Sequence, residues 1–367
     1  TGVQTCALPI SIREVGRLPS LRGMRLASST HLDAKMLPFF LGLAEVGCEL
    51  FVTTCNPQTV RDSVVETLKQ NGIRAEAAKG MSREELHKVL VRVMEWGPTH
   101  LCEMGADLSA ARQSFGDTGG GASQVAAGLE ATGSGINRLR EMELPYPVFN
   151  WDDLPVKEGL HNRFMVGLST WTAFFTRTGL SLHEKRVAIL GFGSVGRGVA
   201  DVARAFGGMV TVVEIDPARR TEAAYRGWQV SDLPEALSTA DIYVTATGHR
   251  NVLRGPELDF LADGAVIVNV GHTDDEIDRR ALLRIDEPVP FLSRYRNGSK
   301  ELFLFADGAM ANLTAGEGDS LNAFDVTLAV LTRAVGFLAR FEATGTPAYG
   351  PGIHILPEEI WRPALEM

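Results

Sequence analysis

The chain has 367 residues, a length that exceeds one compact core and calls for about two domains. Hydrophobic residues at 45% and charged residues at 22% exclude a disordered chain, and no apolar run reads as a membrane span. Lys+Arg 36 against Asp+Glu 45 give a net charge of -9, which excludes a broad nucleic-acid-binding face.

The first ten residues, TGVQTCALPI, begin without Met and match nothing downstream in composition, so residues 1–11 are read as a non-native scar. Both ends are read as truncated. Residues 24–30 predict a strand, 33–46 a helix with Gly47 as its C-cap, and 49–53 a second strand. An amphipathic helix follows at 62–70, ended by Asn71-Gly72. Another spans 82–95, with Ser82 and Glu85 at capping-box spacing, and a third strand starts at His100. This alternation predicts a parallel sheet with helices on both faces. A Gly-rich loop is expected at 114–123, a helix at 124–142, a strand tip at 148–150, a loop at 152–162 and a helix at 163–178. A second series of strands follows at 186–191, 209–214, 242–246 and 265–270, then a hairpin at Asn297-Gly298 and an apolar helix at 321–342. Cys6, Cys48, Cys55 and Cys102 have neither CxxC nor zinc-ligand spacing. Reduced thiols, a cytoplasmic location and no metal are expected.

The most specific local signal is RVAILGFGSVGRGVADVARAFGGMVTVVEID. Gly191, Gly193 and Gly196 follow a strand directly and open a helix. The first glycine allows the tight turn, the second lets backbone approach a pyrophosphate, and the third lets helix and strand pack closely. Ser194 and Val195 place free N–H groups at the helix N-terminus, where the dipole favours an anion. Glu214 closes the second strand, at a distance that suits a ribose 2′-hydroxyl, and its charge repels a 2′-phosphate. NAD is therefore expected over NADP, with Arg219 and Arg220 nearby weakening the preference. The fingerprint lies mid-chain, which implies a discontinuous first domain at 12–165 and 325–362 around a Rossmann domain at 166–324. The cofactor is expected in the cleft between them.

With these motifs in order, the sequence resembles the S-adenosyl-L-homocysteine hydrolase family. The resemblance is strong from Thr170 to Val230, in Asn269-Val270-Gly271-His272, in Arg294-Tyr295-Arg296, in Ala306-Asp307-Gly308 with Asn312-Leu313, and in Pro351 to Pro357. It continues more sparsely through Thr30-His31, Thr53-Thr54-Cys55-Asn56, and Lys157 with Asn162. It implies an α/β chain of two doubly wound parallel-sheet domains with tightly bound NAD. It also implies a cycle in which the 3′-hydroxyl of a thioether nucleoside is oxidised, the acidified C4′ proton is removed, the thiol leaves C5′, water adds and the ketone is reduced. By resemblance, Lys157 and Asn162 flank the 3′-hydroxyl, burial lowering the lysine's pKa so that it acts as base. His31 lies near C5′, His272 near substrate and nicotinamide, Thr132, Ser134 and Gly271 along the cofactor, and Asn312 at the nicotinamide amide. The alternatives are a solvated loop lysine at 157 and loop or capping histidines at 31 and 272. A homotetramer and a place in the methionine cycle are also implied.

The sequence departs from the family mainly on the substrate side. Met104 and His161 stand where aspartates are expected, and Val166 where a cysteine is. An ungapped match puts Ala131 at a catalytic glutamate, whereas a one-residue gap restores Glu130. Asp33 stands where a threonine is expected and Lys35 where a base-reading acid or glutamine is, and Gly316-Glu317-Gly318-Asp319 lacks an expected histidine. His161 can serve as a base with an unperturbed pKa of about 6.5. Lys35 offers only donors where adenine's N6 needs an acceptor. The competing readings are an NAD-binding paralogue without hydrolysis and a net NAD dehydrogenase. The second lacks its usual Arg, Glu and His trio.

Overall fold

The computed structural model describes residues 9–115, 124–272, 274–341 and 349–366. Cys6 and all but the start of the Gly-rich loop at 114–123 lie outside the described residues. The chain divides into two compact units, Thr1–Lys157 with Leu321–Met367, and Glu158–Ser320. The sequence-based boundaries lie a few residues later, at 165 and 324. The helical stretch Lys157–Met165 runs directly into the helix Val166–Thr178, so residues 158–165 travel with the second unit.

The first unit opens with the helix Pro9–Val15, so three residues of the supposed scar form its first turn. Its orphan N–H groups at Ile10 and Ser11 donate to the Asp325 carboxylate at 2.9 and 2.7 Å. The strands β1 (Arg25–Thr30), β2 (Glu49–Thr54), β3 (Arg74–Ala75), β4 (His100–Glu103), β5 (Ala127–Glu130) and β6 (Pro147–Asn150) follow. The capping box at Ser82 and Glu85 forms as expected on the helix Arg83–Trp96. β5 replaces the first part of the helix expected at 124–142. Ala, Leu and Glu favour helix locally, but all four β5 residues are buried between β4 and β6, so tertiary pairing overrides propensity. A short helix, Gly133–Leu139, is all that remains of that expectation, capped by Thr132.

In the second unit the strands are β7 (Arg186–Leu190), β8 (Met209–Val213), β9 (Gln229–Val230), β10 (Ile242–Thr245), β11 (Val266–Asn269), β12 (Leu283–Val289), β13 (Leu292–Asn297) and β14 (Lys300–Met310). Their sheet order is β12-β13-β14-β11-β10-β7-β8-β9. Among the described residues only the pairs of β13 with β12 and β14 are antiparallel, and Gly298, with φ of 60°, turns the expected hairpin. Glycines let the helices Val166–Thr178 and Ser194–Ala205 touch. A Cβ on Gly167 would lie 2.5 Å from the Gly198 carbonyl, and Trp171 Nε1 donates to the Val199 carbonyl at 2.9 Å.

The chain then re-enters the first unit through Leu321–Leu338. This helix has 18 residues and a mean hydropathy of 1.4, long and apolar enough to cross a membrane. Of its residues 61% are buried, and it carries the buried Asp325, which marks a core helix. β15 (Gly352–Ile355) completes the order β15-β6-β5-β4-β1-β2-β3, all parallel. In both units the strand order reverses beside the first strand, at β1/β4 and at β7/β10. Ligands bind beyond the carboxyl ends of strands at such reversals.

Candidate functional site

At the β7/β10 reversal contacts force two of the three fingerprint glycines, Gly191 and Gly196. Gly191 has a φ of 101°, and a Cβ there would strike the Ala246 carbonyl oxygen at 2.6 Å. Gly193 faces open space, the nearest atom to its imagined Cβ being Arg219 Nη1 at 3.9 Å. That places a guanidinium over the turn where a pyrophosphate would rest. Gly196 presses on the turn itself, since a Cβ would lie 2.0 Å from the Gly191 carbonyl oxygen. Val195 lies in the first turn of the helix that opens at Ser194, whose hydroxyl donates to Glu158 at 2.5 Å. Glu214 is buried and accepts from the N–H groups of Phe192 at 2.7 Å, Ile215 at 2.8 Å and Asp216 at 2.9 Å. The acid is thereby fixed at the turn. The cradle fits a dinucleotide.

Beside it, three loops are tied together under His272. Asn269 accepts from Thr245 Oγ1 at 3.0 Å and from Gly271 N at 2.8 Å, and donates to the Gly308 carbonyl at 3.0 Å. Glu276 is buried and accepts from Thr247 N, Thr247 Oγ1 and Gly248 N at 2.8–3.1 Å. A Cβ on Gly271 would lie 2.0 Å from the Glu276 carboxylate, so this glycine is also obligatory. Burial pushes the Glu276 carboxyl up from its ordinary value. Asn312 donates weakly to Ser169 at 3.5 Å, and its Oδ1 is buried with no hydrogen-bond partner among the described residues. The orphan suits the amide of a nicotinamide. His161 and Asn162 lie on the helical stretch Lys157–Met165, and His161 Nδ1 meets the Asp319 carboxylate.

The first unit gathers its own polar groups at strand ends. His31 follows β1, and its Nδ1 lies 2.8 Å from Thr59 Oγ1. Thr59 spends its proton on the Asn56 carbonyl at 2.8 Å, so it accepts from His31. Nδ1 therefore carries the proton and Nε2 is left as the acceptor when the ring is neutral. Lys157 is 7% exposed, with Nζ 3.6 Å from Asp152 Oδ1 and 5.9 Å from the Trp151 ring centroid. It is not a solvated loop lysine. Lys35 is buried too, 3.1 Å from Asp33 and 5.7 Å from the Phe324 ring centroid.

Glu130 ends β5 opposite Glu103, its register partner on β4. It is fully buried and accepts from Gly105 N, Ala106 N, Thr132 N and Thr132 Oγ1. Ser134 in turn donates to Thr132 at 3.4 Å. Glu103 accepts from Leu108 N and Ser109. Burial pushes both carboxyls up, and for Glu130 the neighbouring Glu103 adds to the rise. Both groups titrate at an ordinary 4.5 when unfolded, so above that pH the folded protein holds the extra protons. Stability must then fall as pH rises through the raised values. Glu103→Gln removes one of the two charges, and the fall in Tm from about pH 5 to about pH 8 is expected to become shallower. An unchanged slope would contradict the account.

Sequence reasoning did not single out Asp152 or Glu276, and it noted Asp319 only for the histidine missing there. Asp152 lies five positions before Lys157, and Glu276 four after His272, a proximity that was available as a signal. Asp319 is separated from His161 by most of a domain, and nothing local links them.

Residues 169–318 match the family description "S-adenosyl-L-homocysteine hydrolase, NAD binding domain". The S-inosyl-L-homocysteine hydrolase of Methanopyrus kandleri is 32% identical over 95% of this chain and 83% of its own. The adenosylhomocysteinase of Thermococcus kodakarensis is 33% identical over 92% of this chain and 81% of its own. Among solved structures, a dipicolinate synthase from Bacillus halodurans aligns with a TM-score of 0.52 at 14% identity, covering 86% of this chain and 99% of that one, a likeness of fold alone. Identity at this level along nearly the whole chain, together with the dinucleotide cradle, makes this protein a member of the S-adenosyl-L-homocysteine hydrolase family with NAD as its cofactor.

Proposed function

We propose that the protein hydrolyses a thioether nucleoside to a nucleoside and homocysteine by transient oxidation at C3′, as a step of the methionine cycle. The observation that carries this reading is the presence, in a chain with a complete NAD cradle, of a buried lysine at the position the family uses beside the 3′-hydroxyl. NAD, when bound, supplies the acceptor for the hydride that leaves C3′ and returns in the last step. Lys157 takes the 3′-hydroxyl proton, and Asn162 holds that oxygen. His161 removes the C4′ proton. The electron pair of the broken C4′–H bond forms the C4′–C5′ double bond, and the thiolate leaves with a proton from His31. On the return, His31 Nε2 accepts a proton from the water that adds at C5′. His272 borders the reacting carbon. Thr132, Ser134, Gly271, Asn312 and Arg219 hold the cofactor. Glu130, enclosed by four donors, acts through Thr132 and the Gly105 turn instead of touching substrate.

The base is proposed to be a 6-oxopurine. A lysine reads the paired acceptors O6 and N7, whereas adenine offers N7 beside an N6 donor. Lys35 is a buried ammonium, and both oxygens of Asp33 already serve it, at its backbone N–H and at Nζ. The M. kandleri relative carries such a base in its name, S-inosyl. The inosyl thioether is expected to exceed the adenosyl one in kcat/KM by about tenfold or more, and Lys35→Gln to reverse the order. Equal values for both substrates in both proteins would sink this assignment.

A cytoplasmic homo-oligomer completes the proposal. Cys48, Cys55 and Cys102 are buried free thiols, and Phe164, Leu168, Phe206 and Met209 expose apolar surface on the second unit. Light scattering on the purified protein reads the oligomeric state.

A further inference from the structure

Two of the sequence's departures from its family meet in space. His161 stands where an aspartate was expected, and the segment Gly316 to Asp319 lacks a histidine. In the folded chain His161 Nδ1 lies directly against Asp319 Oδ2. The carboxylate is 6% exposed as a residue and 2% as a side chain, and the imidazole side chain is 19% exposed. The approach is a close nitrogen–oxygen contact, not an aligned hydrogen bond, and Asp319 Oδ1 has no hydrogen-bond partner among the described residues. Burying a carboxylate is strongly unfavourable unless it is paired. Here the pairing ring carries one of the reaction's chemical duties.

We infer that Asp319 is a positioning residue that makes His161 one half of an aspartate–histidine dyad, the acid and the imidazole having exchanged places between the two segments. The inference rests on the reading of His161 as the C4′ base. The negative carboxylate beside Nδ1 draws the ring proton to that nitrogen, which fixes the tautomer and leaves the lone pair on Nε2. When the C4′–H bond breaks, the proton goes to Nε2 and the resulting imidazolium is stabilised by the carboxylate beside it. The proton returns to C4′ when water has added at C5′. A carboxylate in this position acts by orientation and charge and does not itself take the proton.

Asp319→Asn tests this, because the amide keeps the shape but can favour the wrong tautomer. Exchange of the C4′ proton with deuterated solvent and thiol release are expected to fall by about 10²–10⁴-fold. Reduction of bound nicotinamide on adding substrate reports the earlier 3′-oxidation, and it is expected to stay within about twofold, with NAD content unchanged. Asp319→Glu is expected to recover part of the exchange rate. Equal losses in both steps, or no loss in either, would overturn the dyad. His161→Gln separates it from the reading beneath: wild-type exchange in that variant removes the base itself, while lost exchange there with normal exchange in Asp319→Asn removes only the dyad. Should the Asn variant not fold, the unaltered protein still decides. Nitrogen-15 shifts of His161, assigned by difference from His161→Gln, should show Nδ1 protonated and Nε2 bare, and the opposite tautomer would overturn the inference.

Discussion

Replacing Lys157 with alanine is expected to abolish oxidation of the substrate's 3′-hydroxyl, with kcat falling by about 10²–10⁴-fold and no reduced nicotinamide forming on substrate addition. The reason is positional. Lys157 is buried, its Nζ is 3.6 Å from Asp152, and Trp151 closes one side. No solvent base can easily substitute there. Lys157→Arg makes the test specific. Arginine keeps the charge and the pairing with Asp152, but its guanidinium does not release a proton in proteins. If charge alone mattered, the arginine variant would retain turnover. If proton transfer matters, both variants fail while bound NAD remains. Alanine also loses the pairing with Asp152 that arginine keeps, so Tm is expected to fall further in Lys157→Ala than in Lys157→Arg.

The second large effect divides two glycines of the fingerprint. Gly196→Ala drives a Cβ to 2.0 Å from the Gly191 carbonyl oxygen, a backbone atom that cannot swing aside. The helix Ser194–Ala205 must move off the turn, at an overpacking cost of about 1–3 kcal/mol, and NAD is expected to be lost together with stability. Gly193→Ala meets nothing closer than 3.9 Å and has a φ of -69° that any residue adopts. Its fold is expected to persist, but the added methyl occupies the approach of the pyrophosphate. NAD released on denaturation should therefore fall in both variants, and Tm only in Gly196→Ala. Retention of full NAD by Gly193→Ala would contradict the cradle described above.

The Rossmann half was the most legible part of the sequence because its constraints are local. Three glycines and one acid sit within a single strand–helix–strand unit, and of the contacts that demand them only the one at Gly191 comes from elsewhere, from Ala246 after β10. The first unit was harder. β5 carries helix-forming residues, and only the flanking strands β4 and β6, distant in sequence, impose extension on them. The stretch at 152–162 was expected to be a loop, yet helical structure begins at Lys157. The site followed the same rule. Glycine turns and the strand-end histidine were readable from spacing, whereas the fates of Glu130 and Asp319 depend on which backbone N–H groups or side chains long-range folding brings beside them. Gap placement decides whether Ala131 or Glu130 falls at the position of the family's catalytic glutamate. The structure encloses Glu130 among backbone donors and buries Ala131 to 2% exposure.

The most direct test of the central claim is to incubate the purified protein with S-inosyl- or S-adenosyl-homocysteine in deuterated water and follow three products at once. Redox-assisted hydrolysis predicts homocysteine release, deuterium at C4′ of the nucleoside product, and no net reduced nicotinamide. Thiol release without deuterium at C4′, or reduced nicotinamide accumulating in step with product, would contradict it.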